Sequence, residues 1–562
     1  MTHPLMALVS AAARWQQRAF VRQLSQAESV QAAFLQQLLR LHQGTVLGRE
    51  LQLAKMTTVS QFRQQVPIWP YSGYVPYFDR TAAGEPNVVT PEPVLHFNLS
   101  SGSTGSQKLI PITARSQRKR TYANQVAMGF AFARSRQLNL SLGKLLVTTC
   151  AQPIGYTSGG RPYGHVSGNQ LRTSNSPFYR HLFAQPFEAL MVHDSVARNY
   201  LCLLFALRDR HLSVIAANFP LIALQLCRYL DQYAASLIDD IGSGEIADWI
   251  KLDPALRARL ARQFKADPQR AEALQQLYQT AGTLLPKQAW PNLAFVITAR
   301  GGPSDFYFER FSDYFGDIPI FGGTYAASEA VFGSHWNFNT DGTLLAIKTN
   351  FFEFVPADQW EIARPKTLLP HEVRVGELYR VLVTNYSGFY RYDIGDVVEV
   401  VGFRQQVPLI TFRYRRGGTL SAITEKTTEH HVVYAMSALR HKYALPIEDF
   451  CVTLSPDVVA PYYVLNLELP PNSSLTQPEN LLADFDDNLQ TANASYALKR
   501  RSGDILAPQL NRLSPGSFKQ LRQQRLRPGQ FDDAEIKLPH ISGDRALLEA
   551  VEILQTVRLR SA

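Results

Sequence analysis

The chain has few cysteines and no long apolar run, and both features exclude whole classes of protein. Its four cysteines, Cys150, Cys202, Cys227 and Cys451, lie far apart in 562 residues and form no C-x-x-C pair. Such sparse thiols fit neither a disulfide framework nor a zinc site and are typical of a reducing compartment, so we expect a cytoplasmic protein. The longest apolar runs, such as residues 201–207, are far shorter than the ~18–20 residues of a membrane span, so we expect no such span.

The usual signals of a nucleic-acid-binding protein are also missing. The chain has 57 Lys and Arg against 47 Asp and Glu, a net charge of +10, but these cations form no long run. The densest basic clusters, residues 499–501 and 522–527, contain no aromatic residues between the charges, so we expect no nucleic-acid partner. A modest positive balance suits a small anionic substrate, such as a nucleotide or a carboxylate.

What remains is the composition of an ordinary globular protein, with 45% hydrophobic and 19% charged residues, and the length predicts two or more folding units. Helical periodicity covers residues 5–43, and the lack of basic residues before this stretch argues against a signal peptide. Five prolines predict an irregular segment over residues 60–92. Farther on, helical stretches alternate with short β-branched or apolar runs, which predicts an α/β sheet covered by a helical layer. The runs are residues 144–149, 213–217 and 292–298, and the layer is residues 222–285.

A loop rich in glycine and hydroxyl groups follows the strand-like residues 94–97. It consists of Ser100, Ser101, Gly102, Ser103, Thr104, Gly105, Ser106, Gln107 and Lys108. Small residues let the backbone turn tightly, so N–H groups and hydroxyls can surround one anion while Lys108 adds a positive charge. The loop has neither the Walker pattern G-x-x-x-x-G-K-[ST] nor the dinucleotide pattern G-x-G-x-x-G. Taken alone, it fits a phosphate-binding loop and a solvated linker about equally well.

Two further stretches carry side chains suited to a nucleotide. In residues 324–329, Tyr325 stands among small residues that would let a ligand approach its ring, and Glu329 is a suitable oxygen ligand for Mg²⁺. In residues 390–398, Asp396 lies at the entrance of a β-branched run, where its oxygens can accept from a ribose diol. Alone, the first stretch is also compatible with a helix start, and Asp396 with an ordinary turn aspartate.

The last part of the sequence predicts a smaller α+β unit. Residues 411–418 are charged and end in two glycines, which is typical of a hinge, so we divide the chain into domains 1–414 and 415–562. Residues 462–469 alternate like a strand, and residues 475–498 have helical character. His430 and His431 continue a helix that opens over residues 423–429, and we interpret them as part of its face rather than as a metal site.

Taken in order, these segments resemble the adenylate-forming enzyme superfamily, and within it the auxin-responsive Gretchen Hagen family of acyl acid–amido synthetases. The loop ending in Lys108 resembles the first ATP motif of that family. Residues 325–329 resemble its Tyr-x-x-Ser-Glu motif, and residues 392–396 its Tyr-Arg-x-Gly-Asp motif. Residues 425–427 and 536–539, and parts of residues 45–87, also resemble the sequence of that family. The resemblance therefore spans roughly residues 40–545.

The sequence departs from the family pattern in three places. The glycine-rich loop has the shorter spacing of the wider superfamily rather than the longer plant form. If Tyr392 is the motif tyrosine, Asp393 replaces the residue that usually follows it. The motif could instead be aligned with Tyr390-Arg391. His540 follows Pro539 where the family commonly has arginine. These departures leave the ATP motifs in place and leave the acid substrate open.

The resemblance implies an α/β fold, with a large N-terminal adenylation domain of mixed β-sheets flanked by helices and a smaller, mobile α+β C-terminal domain. It implies a monomeric ligase that uses ATP and Mg²⁺ to convert a carboxylic acid into acyl-AMP and then joins the acyl group to an amino acid or another amine. Two alternatives stay open: transfer to coenzyme A after the same adenylation, and a non-catalytic nucleotide-binding protein.

The resemblance also implies roles for single residues. Lys537, Ser328 and Glu329 would be catalytic, and Glu329 would also be the Mg²⁺ ligand. The nucleotide-binding residues would be Ser100, Ser101, Gly102, Ser103, Thr104, Gly105, Lys108, Thr324, Tyr325, Asp396, Arg415 and Arg416. Phe332 and Trp336 would either wall the acid pocket or belong to the core.

Overall fold

The structure is a computed structural model that describes residues 4–100, 108–173, 179–416, 418–423, 425–457, 460–525, 536, 538–544, 547–548 and 551–559. The chain divides into two compact units. The first is Met1–Ile394 with Val398–Thr411, and the second is Gly395–Val397 with Phe412–Ala562. In the described residues, no helix has the length and apolar character required to cross a membrane.

Helices occur in both units, and most of them lie in the first. They are α1 (Pro4–Val21), α2 (Ala27–His42), α3 (Val46–Glu50), α4 (Val59–Gln65), α5 (Val75–Ala82), α6 (Ala114–Gln137), α7 (Val166–Thr173), α8 (Tyr179–Leu182), α9 (Ser195–Leu207), α10 (Pro220–Gln232), α11 (Ala234–Ser243), α12 (Pro254–Gln263), α13 (Pro268–Ala281), α14 (Pro286–Ala289), α15 (Asp305–Phe308), α16 (Phe311–Phe315), α17 (Glu429–Tyr443), α18 (Pro478–Ala492), α19 (Ala494–Arg501) and α20 (Ser517–Gln524).

Local sequence explains many of the helix starts. The carboxylates of Asp194, Asp253 and Asp267 accept hydrogen bonds from backbone N–H groups in the first turns of α9, α12 and α13. These N-caps satisfy donors that have no partner inside the helix. Proline occupies the first turn of α10, α12 and α13, where its missing N–H costs nothing.

Two local expectations differ from the structure. Residues 5–43 form two helices rather than one, because a 3₁₀ turn at Leu24–Gln26 separates them and buries Leu24. The carbonyl of Leu24 accepts a hydrogen bond of 3.2 Å from the backbone N–H of Gln406, which ties this turn to a distant strand connection. The proline-rich residues 60–92 contain the short helices α4 and α5, and Pro76 lies in the first turn of α5. Proline there limits helix length without preventing helices.

The strands follow the chain as β1 (Val94–Ser100), β2 (Lys108–Thr113), β3 (Leu145–Val147), β4 (Gly155–Tyr156), β5 (Pro162–Gly164), β6 (Val214–Ala216), β7 (Phe295–Ile297), β8 (Ile320–Phe321), β9 (Thr324–Ala326), β10 (Val331–His335), β11 (Thr343–Leu345), β12 (Phe351–Pro356), β13 (Leu378–Thr384), β14 (Tyr392–Arg404), β15 (Val407–Arg415), β16 (Thr419–Leu420), β17 (Thr427–Thr428), β18 (Asp449–Leu454), β19 (Tyr463–Glu468), β20 (Gln509–Leu513), β21 (Ile541–Ser542) and β22 (Ile553–Arg558).

A four-stranded parallel sheet has the order β3-β6-β7-β8, and the three predicted runs supply β3, β6 and β7. The predicted helical layer covers it: Leu224, Leu237 and Leu274 share one buried cluster with Ile215 and Val296. Apolar residues on the inner helix faces and on the strands are removed from water together, which stabilises the layered arrangement.

Two further sheets position the motifs. In the first, the order is β2-β1-β5-β4, and β1 pairs antiparallel with β2 so that Ser100 lies opposite Lys108. In the second, seven strands follow the order β12-β13-β14-β15-β11-β10-β9. Phe34 of α2 packs on this second sheet in a buried cluster with Phe352 and Val398. The end of the β1–β2 hairpin, β9 with the turn after it, and the start of β14 therefore carry the three predicted motifs.

The second unit has α+β character. Its five-stranded sheet has the order β21-β18-β19-β20-β22, and α17, α18, α19 and α20 belong to the same unit. His431 lies in the first turn of α17, where it forms a capping box with Thr428. The mixed α/β class predicted for the whole chain is confirmed.

Candidate active site

Lys108, Glu329 and Tyr392 meet at the end of the β1–β2 hairpin where Ser100 lies opposite Lys108. The hydroxyl of Tyr392 donates a hydrogen bond of 3.2 Å to Oε1 of Glu329, and Nζ of Lys108 lies 3.7 Å from the same oxygen. The ammonium of Lys108 also donates to the Tyr392 hydroxyl at 3.5 Å. The side chain of Glu329 is 3% exposed, so its charge acts in a poorly solvated environment. Three residues from widely separated motifs thus form one polar cluster.

The backbone around Ser328 is held from two sides. Its hydroxyl donates to the carbonyl of Leu99 at 2.9 Å, which ties the motif to strand β1. The guanidinium of Arg120, on α6, donates to the carbonyls of Ala327 at 2.9 Å and Ser328 at 3.1 Å. Burial lowers the pKa of Arg120 to about 10, and the charge of Glu329 opposes that shift. Arg120 therefore contributes a second positive charge behind the buried carboxylate.

Tyr392, not Tyr390, reaches this cluster. Tyr390 is buried, and its hydroxyl lies 2.9 Å from Nδ1 of His42 in the core. Arg391 adopts a left-handed conformation with φ of 50°, which turns the chain sharply between the two tyrosines. Its guanidinium makes a buried ion pair with Glu353 at 2.9 Å. Tyr390 and Arg391 thus pack in the core. The alternative alignment, in which Tyr390 would be the motif tyrosine, does not bring its hydroxyl to the cluster.

Thr324 and Tyr325 lie on β9 beside the cluster. Thr324 donates a hydrogen bond of 3.2 Å to the Asn124 side chain of α6. The ring of Tyr325 stacks on Phe332, with centroids 4.7 Å apart and an interplanar angle of 23°. Phe332 is fully buried, so it belongs to the core and supports Tyr325. Trp336 is partly buried, and the guanidinium of Arg404 lies 5.7 Å from its ring centroid.

Asp396, Arg415 and Arg416 are brought together in the second unit. Asp396 is buried, and its Oδ1 accepts a hydrogen bond of 2.7 Å from Nε of Arg415. The backbone N–H of Arg416 donates to the carbonyl of Gly395 at 2.6 Å. Gly395 has φ of 81°, a conformation that glycine adopts without strain. A carboxylate and a guanidinium are therefore held in one hydrogen-bonded pair at the start of the unit.

Several predicted site residues lie outside the described part of the chain. They are Ser101, Gly102, Ser103, Thr104, Gly105 and Lys537. On either side of the loop, Ser100 and Lys108 are paired in the hairpin.

Sequence reasoning missed three residues that build the cluster. Arg120 was one cation among several in α6, and no local pattern distinguished it. Tyr71 belongs to no recognisable motif. Its hydroxyl nevertheless accepts a hydrogen bond from the Leu109 N–H at 3.1 Å, and its ring centroid lies 5.1 Å from Nζ of Lys108. Asn98 donates to the Ser328 carbonyl at 3.4 Å from β1. These contacts depend on tertiary structure, so short motifs do not carry them.

The donor atoms of the cluster fit a magnesium ion that is held mainly by phosphates and water. Glu329 offers carboxylate oxygens, which Mg²⁺ prefers, and one or two protein carboxylates are typical of such sites. The described residues contain no group of three or more His, Cys, Asp or Glu side chains placed to hold a metal on their own. Glu329 thus suits a metal that arrives with a nucleotide.

Family models match most of the chain. The model of the GH3 family N-terminal domain matches residues 16–320, more than half of the sequence. The chain belongs to the GH3 family. The models of the GH3 family central and C-terminal domains match residues 343–415 and 430–546. The family resemblance inferred from the motifs is confirmed.

Individual relatives are similar over most of their lengths. The jasmonoyl–L-amino acid synthetase JAR4 of Nicotiana attenuata is 27% identical over 515 residues, which cover 88% of this chain and 87% of JAR4. The indole-3-acetic acid-amido synthetase GH3.17 of Arabidopsis thaliana is 27% identical over 494 residues, which cover 81% and 80% of the two chains. The solved structure of the GH3.15 acyl acid amido synthetase superposes with a TM-score of 0.82 at 21% identity, covering 96% of each chain. That likeness confirms the fold.

Proposed function

We propose that this GH3 protein is an ATP-dependent acyl acid–amido synthetase. In the first step, a carboxylate oxygen of the acid attacks the α-phosphorus of ATP, and the bond to pyrophosphate breaks to leave acyl-AMP. In the second step, an amine nitrogen attacks the acyl carbon, the bond to AMP breaks, and the nitrogen loses a proton to give an amide. Membership of the GH3 family and the names of both relatives support this reaction.

The observation that carries the proposal is the convergence of Lys108, Glu329 and Tyr392 at the end of the hairpin. Phosphoryl and adenylyl transfer depend on positioning and on neutralising negative charge that spreads over phosphate oxygens. Lys108 supplies such a charge, and Tyr392 fixes both Lys108 and Glu329 in place. The same cluster adjoins Ser328, whose hydroxyl we assign to the α-phosphate, to which it would donate after turning away from the Leu99 carbonyl.

The remaining assignments follow the family motifs. We assign Ser100, Ser101, Gly102, Ser103, Thr104 and Gly105 to the phosphates of ATP, Thr324 and Tyr325 to the adenine side, and Asp396, Arg415 and Arg416 to the ribose and its surroundings. Lys537 would supply positive charge in the first step. The Asp396–Arg415 pair supports the ribose role, because a carboxylate held in a fixed position can accept from both hydroxyls of a diol.

We assign Mg²⁺ to Glu329, which would provide the protein oxygen ligand. When bound, the ion would offset charge on the phosphates of ATP. Lys108 and Tyr392 orient the carboxylate of Glu329 for that role. We further propose that the protein acts as a monomer in the cytoplasm, where the four free thiols would stay reduced.

Acid-dependent exchange of labelled pyrophosphate into ATP tests the proposal. Purified protein is incubated with a panel of aryl, indole and fatty acids, and we expect exchange with at least one acid. Glu329→Gln should lower this exchange by about 10²–10³-fold, the usual loss when a fixed group that stabilises the transition state is removed. The matched control is Glu272→Gln, on the exposed face of α13, which should exchange like the wild type. Absence of exchange across a broad panel, with ATP still bound, would contradict the proposal.

A further inference from the structure

A pocket with polar walls lies in the first unit, where β1, α6 and α7 meet. Most of the residues that line it are polar: His96, Asn98, Gln117, Arg120, Thr121 and Gln170. Among the described residues of its walls there is no aspartate or glutamate. Pockets for small molecules are usually lined by apolar and aromatic side chains, so these walls suit a ligand with polar groups of its own. We call it the Gln117 pocket.

The Gln117 pocket adjoins Ser328. Two of its lining residues contact the carbonyl of Ser328: Asn98 donates to it at 3.4 Å and Arg120 at 3.1 Å. We assign the Ser328 hydroxyl to the α-phosphate of ATP. The carboxylate that attacks the α-phosphorus has to lie within about 3–3.5 Å of it. The pocket therefore lies where it can receive the remainder of the acid.

The walls of the pocket are held in fixed positions. The side-chain amide of Asn169, on α7, donates to Oδ1 of Asn98 at 2.9 Å and to the carbonyl of Phe97 at 3.0 Å. Its oxygen accepts a hydrogen bond of 2.6 Å from Arg172. These bonds tie α7 to β1, so a ligand would meet polar partners that are already in place.

The charges around the pocket suit a carboxylic acid. Burial lowers the pKa of His96 to about 4, and the positive charges of Arg172 and Arg120 add to this shift. His96 is therefore neutral at neutral pH, whereas Arg120 carries a positive charge. A positive potential attracts a carboxylate. The neutral polar side chains of the pocket are left to bind an uncharged group.

The side-chain amide of Gln117 lacks a partner. Its Oε1 is buried and accepts no hydrogen bond from the part of the chain that the structure describes. A hydroxyl group of a ligand would supply the missing donor. Because rotation exchanges the oxygen and nitrogen of an amide, a hydroxyl, which both donates and accepts, fits Gln117 in either orientation. A second carboxylate would fit only the nitrogen, and an apolar group would fit neither.

We propose that the Gln117 pocket selects a hydroxylated carboxylic acid as the acyl substrate. The carboxylate lies at the Ser328 end, and the hydroxyl is hydrogen-bonded to the Gln117 amide. This inference rests on the proposed function and names the class of acid that it uses. A purely apolar acid would cover the polar walls without giving them hydrogen-bonding partners, which disfavours its binding.

Matched pairs of acids test the selection. Acid-dependent pyrophosphate exchange is measured with benzoate against the hydroxybenzoates, and with butanoate against the hydroxybutanoates. In at least one pair, we expect the wild type to favour the hydroxylated acid by about 10–100-fold in kcat/KM. The reason is that the parent acid leaves a buried polar group without its partner.

Gln117→Leu tests the residue to which the hydroxyl is assigned. It removes the amide and keeps a side chain of similar size, so the preference for the hydroxylated acid should fall by about tenfold or more. This preference is a ratio of two kcat/KM values for one protein, so a partial loss of folded protein does not alter it. Gln125→Leu, on the exposed face of α6, is the matched control and should keep the wild-type ratio.

The outcomes separate this inference from the proposed function. If the wild type exchanges with acids but never favours the hydroxylated member of a pair, the inference is wrong and the proposed function stands. An unchanged ratio in Gln117→Leu also overturns the inference. If Gln117→Leu is inactive, the wild-type ratio still decides. No exchange with any acid overturns the proposed function, and the inference with it.

Discussion

Tyr392 is the residue that joins the two charged members of the candidate site, because its hydroxyl contacts both Glu329 and Lys108. Tyr392→Phe keeps the ring and removes both contacts. Hydrogen bonds to charged groups contribute about 1.5–3 kcal/mol, so we expect kcat for pyrophosphate exchange to fall by roughly tenfold or more. Tyr434→Phe, at a position that is 49% exposed, is the control. An unchanged rate in Tyr392→Phe would show that the hydroxyl does not orient these charges.

The buried pair of Arg391 and Glu353 fixes the sharp turn before Tyr392. Their side chains are 6% and 1% exposed, and Arg391 also donates to the carbonyls of Arg63 and Val66. Glu353→Gln would leave the guanidinium without its compensating charge, which typically costs about 3–5 kcal/mol. We therefore expect a clear drop in melting temperature, measured by calorimetry.

The control for this substitution is Glu85→Gln. Glu85 pairs with Arg80 on the surface, where solvent screens the interaction, so its loss should leave the melting temperature nearly unchanged. Equal melting temperatures for the Glu353→Gln variant and the wild type would contradict the structural role of the buried pair.

Buried histidines make the first unit sensitive to mild acid. Burial lowers the pKa of His42, His96 and His335 from 6.5 to about 4. Between pH 6.5 and about 4, these histidines bind protons in the unfolded chain but not in the folded chain. The free energy of unfolding therefore falls as the pH decreases from 6.5 towards 4. We expect the melting temperature to decrease over this window, before most carboxylates titrate.

His42→Gln provides the test of that pH dependence. This variant should be less stable at neutral pH, because it loses the contact with Tyr390, but its melting temperature should depend less steeply on pH. A slope identical to that of the wild type would show that His42 does not contribute.

At the scale of elements, α1 and α6 pack closely at Gly129. A Cβ at this position would lie 2.5 Å from Cβ of Gln17 and would also overlap the carbonyl oxygen of Ala13. Alanine normally favours a helix interior over glycine by about 1 kcal/mol. We nevertheless expect Gly129→Ala to lower the melting temperature, because overpacking commonly costs about 1–3 kcal/mol.

Gly44→Ala is the matched control for the helix contact, since a Cβ there meets no atom within 4 Å. It should leave the melting temperature almost unchanged. A stabilised Gly129→Ala variant would mean that the two helices can separate without cost.

Elements with a strong local signal could be predicted from the sequence. The runs at residues 213–217 and 292–298 became β6 and β7, since β-branched and aromatic residues suit a buried strand. The break at Leu24 could not be predicted, because no proline or glycine marks it and the turn depends on a contact with Gln406. The left-handed conformation of Arg391 was equally hidden, because it is maintained by Glu353 and by distant carbonyls.

At the scale of the whole molecule, the order of motifs predicted the family, and the resemblance assigned the loop ending in Lys108 and residues 324–329 to the nucleotide. It could not predict Arg120 or Asn98 at the site, because both reach Ser328 only after α6 and β1 have packed against the β9–β10 connection. The charged residues Lys108 and Glu329 could therefore be predicted from motifs, whereas the residues that orient them could be identified only from the structure.

The most direct test of the amido synthetase account is identification of the product. An acid that supports pyrophosphate exchange is incubated with the protein, ATP, a mixture of amino acids and coenzyme A, and the products are identified by mass spectrometry. The account predicts an acid–amino acid amide, with one AMP and one pyrophosphate formed for each amide. Formation of a coenzyme A thioester instead, or of AMP and pyrophosphate without any amide, would contradict it.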